Sequence, residues 1–320
     1  MLRILLLGKN GQLGWELNRA LLPLGLNLAV GYPQIDLENP DTFVGLIREV
    51  KPNLIVNAAA YTAVDAAENA PVRACTINAV APGVLAEEAR RLNAFFVHYS
   101  TDYVFDGTAG VPYKEIDAVN PLNIYGQTKL DGERAVQAVG GNHLILRTAW
   151  VYSTYRDSFV TKVLQWARKN ETLKLVDDQV SNPTWTRVLA GITALVLARG
   201  LDFLSDHVGL YHLAGSGAAS RFEWAQSILL YDPNSQEQIT KTILPAKTSE
   251  FPAPAERPLF SALDCSKFYS HFGLSLPFWK ISLQLALQEL HMAVARDSDE
   301  AHLGVPSAAL DSYPSAGKID

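Results

Sequence analysis

Short, almost wholly apolar runs recur along the first half of the chain: Arg3–Leu7, Leu26–Val30, Leu54–Ala59, Phe95–Ser100, Leu144–Ala149 and, further on, Leu173–Val176. Each is too short for a helix and rich in Val, Ile, Leu or Phe, so each predicts a strand buried on both faces. Between them, Gly14–Leu24, Asp41–Val50, Val72–Leu92 and Pro121–Val139 carry apolar residues at helical spacing. Strands alternating with helices predict an α/β fold, a doubly wound, Rossmann-like parallel sheet covered by helices on both faces. Beyond about Trp150 the rhythm breaks. A polar loop, Ser153–Ser158, precedes a helix predicted at Phe159–Lys169, another opening at Asn182–Thr186, and two more at Arg221–Tyr231 and Pro277–Met292, with the Pro-rich stretch Pro245–Pro258 between these last two. Residues 1–152 therefore predict the sheet domain, joined by a strand returning near 173–190, and 153–295 mainly a smaller second domain. The small, polar and proline residues from Arg296 to Asp320 predict a disordered tail.

Composition narrows the class. With 48% hydrophobic and 19% charged residues the chain falls among ordinary globular proteins. No apolar run approaches the roughly 20 residues of a membrane helix, so no membrane partner is expected. The chain passes from Met1 into a strand without the basic, apolar and small-residue regions of an export signal. Cys75 and Cys265 lie far apart, with no partners at metal-ligand spacing, which predicts neither a disulfide framework nor a zinc site. The expected compartment is the cytoplasm. A net charge of -6 argues against a surface that tracks nucleic-acid phosphates.

Chemistry enters at the end of the first strand, where Gly8-Lys9-Asn10-Gly11-Gln12-Leu13-Gly14 opens a helix. Glycines in a strand–turn–helix context allow a tight turn and close backbone approach, and the helix start offers free N–H groups to a pyrophosphate. A dinucleotide is expected there. Asp36, after the second strand, either lines the adenosine pocket or caps a turn, and no acid or arginine at the expected place decides between NADH and NADPH.

Tyr125 and Lys129 stand four residues apart, on one face of a helix. A phenol with a pKa near 10 needs a neighbouring cation to serve in proton transfer at neutral pH, and Lys129 is that cation. The fourth strand ends in His98-Tyr99-Ser100-Thr101-Asp102-Tyr103. Strand carboxyl ends face the ligand crevice in such sheets, so a hydroxyl here can hold a reacting carbonyl. Thr101 is the first choice and Ser100 the alternative, because strand neighbours face opposite ways and the sequence does not give the phase. His98 is expected as a satisfied strand residue.

Six stretches in order, Gly8–Leu17, Asn57–Glu68, Tyr99–Gly107, Asn120–Glu133, Arg147–Tyr152 and Asp178–Thr184, resemble the extended short-chain dehydrogenase/reductases, and within them the dTDP-4-dehydrorhamnose reductases. That resemblance implies an enzyme reducing the C4 keto group of dTDP-4-dehydro-L-rhamnose with NADPH or NADH. It implies that Gly8, Asn10, Gly11, Gln12, Leu13, Gly14, Asp36, Leu37, Ala58, Ala59, Ala60, Tyr125 and Lys129 line the cofactor, and that Val64, Thr101, Asp102, Tyr103 and Trp150 face a dTDP-sugar. Trp150 is alternatively a core residue. Residues 1–152 would then bind the dinucleotide and 153–295 the substrate.

Some relatives form a homodimer around magnesium held by glutamates, and Glu16 and Glu289 match two such positions. Arg187 stands where a third acid is expected, and an arginine cannot ligate a cation, so no metal is assigned. Two rivals remain: a nucleotide-sugar epimerase or dehydratase on the same fold, and a non-catalytic subunit resembling the regulatory partner of methionine adenosyltransferase. Dehydratases carry Thr-Asp-Glu at the fourth strand, where this chain has Thr101-Asp102-Tyr103. A non-catalytic subunit has no physical need of Thr101, Tyr125 and Lys129 together.

Overall fold

The structure, a computed structural model, describes residues 1–290. The expected tail at 296–320 lies outside them. The first half runs β1 (Leu2–Leu7), α1 (Gln12–Ala20), β2 (Gly25–Val30), α2 (Pro40–Val50), β3 (Leu54–Asn57), α3 (Val64–Asn69), α4 (Pro71–Cys75), α5 (Ala81–Arg91), β4 (Phe95–Thr101), α6 (Ile124–Val139) and β5 (His143–Thr148). The second half continues with β6 (Val151–Tyr152), α7 (Phe159–Ala167), β7 (Thr172–Val176), β8 (Val180–Ser181), β9 (Thr184–Trp185), α8 (Thr186–Leu197), α9 (Leu201–Ser205) and β10 (Gly209–His212). It closes with β11 (Ala219–Ser220), α10 (Arg221–Leu230), β12 (Thr242–Ala246), α11 (Ser266–Phe272) and a helix over 279–290, α12.

The central sheet has six strands in the order β10-β5-β4-β3-β1-β2, all parallel. Alternate residues of each strand enter different cores. Ile4, Leu6, Val56, Val97 and Leu146 meet α1, α8 and α11, whereas Leu5, Leu7, Ile55, Phe96 and Ile145 meet α2, α5 and α6. Burial on both faces is why the strands read as continuous apolar runs. A third core, with Tyr152, Leu164, Leu175, Trp224, Trp279 and Leu283, holds the second domain together.

Two expectations are corrected. The strand that returns to the central sheet is β10, not one near 173–190; β7 pairs instead with β12 in a separate two-stranded sheet. β7 alternates exposed and buried residues, as a strand covered on one face does, while β10 is four residues long and carries no apolar run. The single helix expected at Val72–Leu92 is interrupted by a π-helical turn, Thr76–Val80. Pro82 has no N–H to give to the Asn78 carbonyl, so the regular ladder cannot run through this point.

Candidate active site

The β1–α1 turn is built for close approach. Gly8 has φ +92°, and a Cβ there would lie 2.7 Å from the Ala59 nitrogen; a Cβ on Gly14 would lie 1.9 Å from the Gly8 oxygen. The turn therefore packs directly against Ala58–Ala60, at the point between β1 and β3 where the strand order reverses. Gly11 is the N-cap of α1, and no side chain caps the first turn. These backbone donors at a helix start fit the diphosphate of a dinucleotide. Asn10 Nδ2 donates to the Tyr32 carbonyl at 3.0 Å and ties the loop to the end of β2, while Gln12 Oε1 is buried without a partner. The side chains of Leu13 and Leu37 lie in the core. Asp36 Oδ1 accepts the Glu38 N–H at 3.0 Å in the turn before α2.

Helix α6 delivers the tyrosine and the lysine. Asn123 caps it, Oδ1 accepting the Gly126 N–H at 2.8 Å, while Glu68 Oε1 accepts the Ile124 N–H at 2.8 Å. Tyr125 is half-buried, and burial raises its phenol above the ordinary range, opposed by the Thr101 hydroxyl beside it. The phase of β4 is thereby visible. Ser100 Oγ donates to Glu133 Oε1 at 2.5 Å, inside a buried ion pair in which Arg147 grips Glu133 at 2.8 and 2.7 Å. Thr101 Oγ1 faces the other way, accepting the Tyr103 N–H at 3.2 Å and donating to Asp102 Oδ1 at 3.2 Å. Lys129 is fully enclosed. Its Nζ donates to the Tyr99 carbonyl at 2.6 Å and lies 3.3 Å from His98 Nε2, and burial draws its pKa down to about 8, opposed by Glu133 one turn along.

Asp102 does not point into the crevice. Its Oδ2 accepts the hydroxyls of Ser181 at 3.0 Å and Ser261 at 2.5 Å, and burial lifts its pKa to about 6 against those hydrogen bonds. The neighbouring Tyr103 stands edge-on to Tyr125, ring centroids 5.9 Å apart, with its phenol in hydrogen-bonding reach of Arg221 and Arg257. Arg257 is anchored to Asp65 at 2.6 Å, one residue from Val64 at the start of α3. Trp150, at φ +38°, stacks on Trp224 and seats the Arg221 guanidinium 3.6 Å above its ring. Its ring packs against the third core. Arg221, Arg257, Phe159, Trp166, Gln179 and Phe251 line a cavity of about 630 Å³ beside Tyr103.

Sequence reasoning missed Arg221, Glu133, Arg147 and the two serines on Asp102. Only Glu133 left a local signal, one helical turn past Lys129; the others are brought in by the second domain or by a neighbouring strand. The metal positions are occupied by an ion-pair bridge. Arg187 lies between Glu16, at 3.5 Å, and Glu289, and among the described residues no cluster of three or more acids, histidines or cysteines could hold a metal.

A fold with a glycine turn at the switch point and Thr101 beside Tyr125 has relatives that can be named. Residues 2–292 match the family described as RmlD substrate binding domain. The dTDP-4-dehydrorhamnose reductase of Burkholderia thailandensis is 40% identical over 295 residues, which cover 90% of this chain and 99% of that protein. The chain belongs to the dTDP-4-dehydrorhamnose reductase family. The Escherichia coli K12 reductase is likewise 40% identical, over 92% of this chain and its own whole length. The crystal structure of the Bacillus anthracis reductase in complex with NADP superposes with a TM-score of 0.83 at 31% identity, covering 90% of this chain and 99% of that one. Among the described residues no helix is long and apolar enough to cross a membrane.

Proposed function

We propose that the chain reduces the C4 keto group of dTDP-4-dehydro-L-rhamnose to give dTDP-L-rhamnose, as its family membership implies. The observation that carries the reading is the phenol of Tyr125 set against Thr101 at the carboxyl end of β4, beside a glycine turn with free helix-start donors. Gly8, Gly11, Gly14 and the backbone of Ala58–Ala60 would hold the dinucleotide, NADPH or NADH. The bound nicotinamide supplies the hydride. Thr101 Oγ1 holds the carbonyl oxygen, and Tyr125 Oη gives up its proton to that oxygen as charge builds there. The raised pKa of Tyr125 keeps that proton in place until the oxygen needs it.

Arg221 and Arg257 suit the diphosphate of a nucleotide-sugar, and Phe159, Trp166 and Phe251 supply apolar walls for its base. With Asp102 bound to two serines and Tyr103 next to it, the strand end offers no free carboxylate for elimination, which speaks against a dehydratase. Two free cysteines suit a reducing, cytoplasmic setting.

The purified protein, mixed with NADPH or NADH and dTDP-4-dehydro-L-rhamnose, should bleach the reduced-nicotinamide absorbance. If the band never falls, the reading is wrong. Tyr125→Phe should cut turnover at least a hundredfold while leaving cofactor affinity within about twofold, as expected for loss of a general acid; equal losses in both would demote Tyr125 to a packing role.

A further inference from the structure

Lys129 ends a line of hydrogen bonds whose direction is set at its far end. The Ala59 N–H donates to Asn57 Oδ1 at 3.1 Å, and this fixes which way round the Asn57 amide lies. Its Nδ2 faces His98 Nδ1 at 3.2 Å. An amide nitrogen only donates, so Nδ1 is the acceptor, and the single proton of a neutral imidazole must sit on Nε2. The ring is neutral because His98 is fully buried, and burial holds its pKa well below the ordinary histidine range. The Nε2–H therefore points at Lys129 Nζ, 3.3 Å away. An ammonium there would set donor against donor. A free amine has the lone pair to accept that hydrogen, and keeps an N–H for the Tyr99 carbonyl at 2.6 Å.

We propose that Asn57 and His98 are positioning residues that favour the neutral amine of Lys129 in the free protein, so that in mildly alkaline solution the nicotinamide dinucleotide binds with uptake of one solvent proton onto Nζ. This rests on the reading that the dinucleotide occupies the Gly8–Gly14 turn and reaches Lys129. Its diphosphate brings negative charge near the amine and raises the amine's affinity for a proton. In the complex Nζ gains H⁺ from water. His98 keeps one proton, which moves from Nε2 to Nδ1 as the Asn57 amide turns over and gives up the Ala59 N–H, a lost bond that favours the first arrangement in the free protein; the histidine changes its tautomer and not its charge. The ammonium so formed then stands one turn from Tyr125 to steady the phenolate left by proton transfer. The groups facing Lys129 are His98 and the Tyr99 carbonyl from β4, and Tyr125 and Glu133 from α6; Glu133 is paired with Arg147 of β5. Burial of Lys129 among them, with its pKa near 8, puts the change within reach of ordinary buffers.

The test is binding, read without turnover. NADPH and NADH are each titrated into the protein from about pH 6.5 to 9.5 with tryptophan fluorescence as readout, and proton uptake near pH 9 is measured by calorimetry in two buffers of different ionisation enthalpy. We expect Kd to be flat below about pH 8 and to rise about tenfold per unit above it, with close to one proton taken up per cofactor of either kind. Asn57→Asp keeps the acceptor for the Ala59 N–H but turns the amide donor into an acceptor. His98 is then driven to the Nδ1–H form, and the break in Kd moves up by at least one pH unit. A Kd independent of pH to 9.5 with no proton taken up overturns the proposal even if the variant fails to fold, because the wild-type measurement suffices. A protein that binds neither cofactor at any pH overturns the functional reading as well.

Discussion

Asp102 is a charge held where a charge is costly, and its stability contribution follows from the sign of that cost. Its folded pKa, about 6, lies above the ordinary value of 3.8, so between these limits the folded state binds more protons than the unfolded one. The contribution of Asp102 to stability is therefore full below about pH 4 and is lost as the pH rises through 6. Urea unfolding at about pH 4.5 and 7.5 should show Asp102→Asn gaining on the wild type by about 2–3 kcal/mol at the higher pH; an equal difference at both would show that the carboxyl does not titrate in this window. Glu133 is a buried acid held by a bidentate arginine. Arg147→Met should cost about 3–5 kcal/mol in the same assay, because it leaves that carboxylate buried without its cation. At this scale the sequence was partly readable. Tyr125, Lys129 and Thr101 stood out by type and order, but the choice between Ser100 and Thr101 depended on which face of β4 meets α6. That is a matter of phase, and a strand apolar on both sides does not display it.

Helix α6 reaches its place by the closeness of two backbones. A Cβ on Gly132 would fall 2.1 Å from the Asn78 carbonyl in the π-helical turn, the same turn whose Asn78 side chain bonds the Tyr61 backbone and Thr128. Gly132→Ala should push α6 off this turn. A loss of about 1–3 kcal/mol in thermal or urea unfolding is expected, as for other overpacked contacts, and NADPH affinity should fall with it, since Lys129 rides on the same helix; unchanged binding would uncouple the two. The long elements of this half were legible because their periodicities are strong and their strands lie between covering helices. The interruption at Thr76–Val80 was not: Pro82 is compatible with a helix start as well as a break, and only the docking of α6 shows which it is. β10 escaped for a plainer reason, its Gly-Leu-Tyr-His being too short to carry a period.

Across the whole molecule, the two domains are stitched by polar contacts at the crevice. Arg257 joins Asp65 in α3, and Asn123 Nδ2 donates to the Glu256 carbonyl at 2.7 Å, so the segment forming one wall of the large cavity is pinned to the sheet domain. Arg187 makes a similar tie between Glu16 and Glu289 with its own positive charge. Treatment with a strong chelator is accordingly expected to leave both melting temperature and turnover unchanged; a fall in either, restored by magnesium, would show that a divalent cation competes with the arginine. Such ties join residues a hundred or more positions apart, and no local pattern announces them. The same long reach governs how the chain comes to be made. The sheet is finished by β10, whose residues leave the ribosome only after most of the second domain has been synthesised. Until then β5 ends the sheet with a bare row of backbone donors and acceptors. A nascent or truncated chain ending near Tyr152 would carry that open edge into a crowded cell, where other strands could pair with it, so the second domain also serves as the delayed supplier of the strand that makes the first one safe to leave in solution.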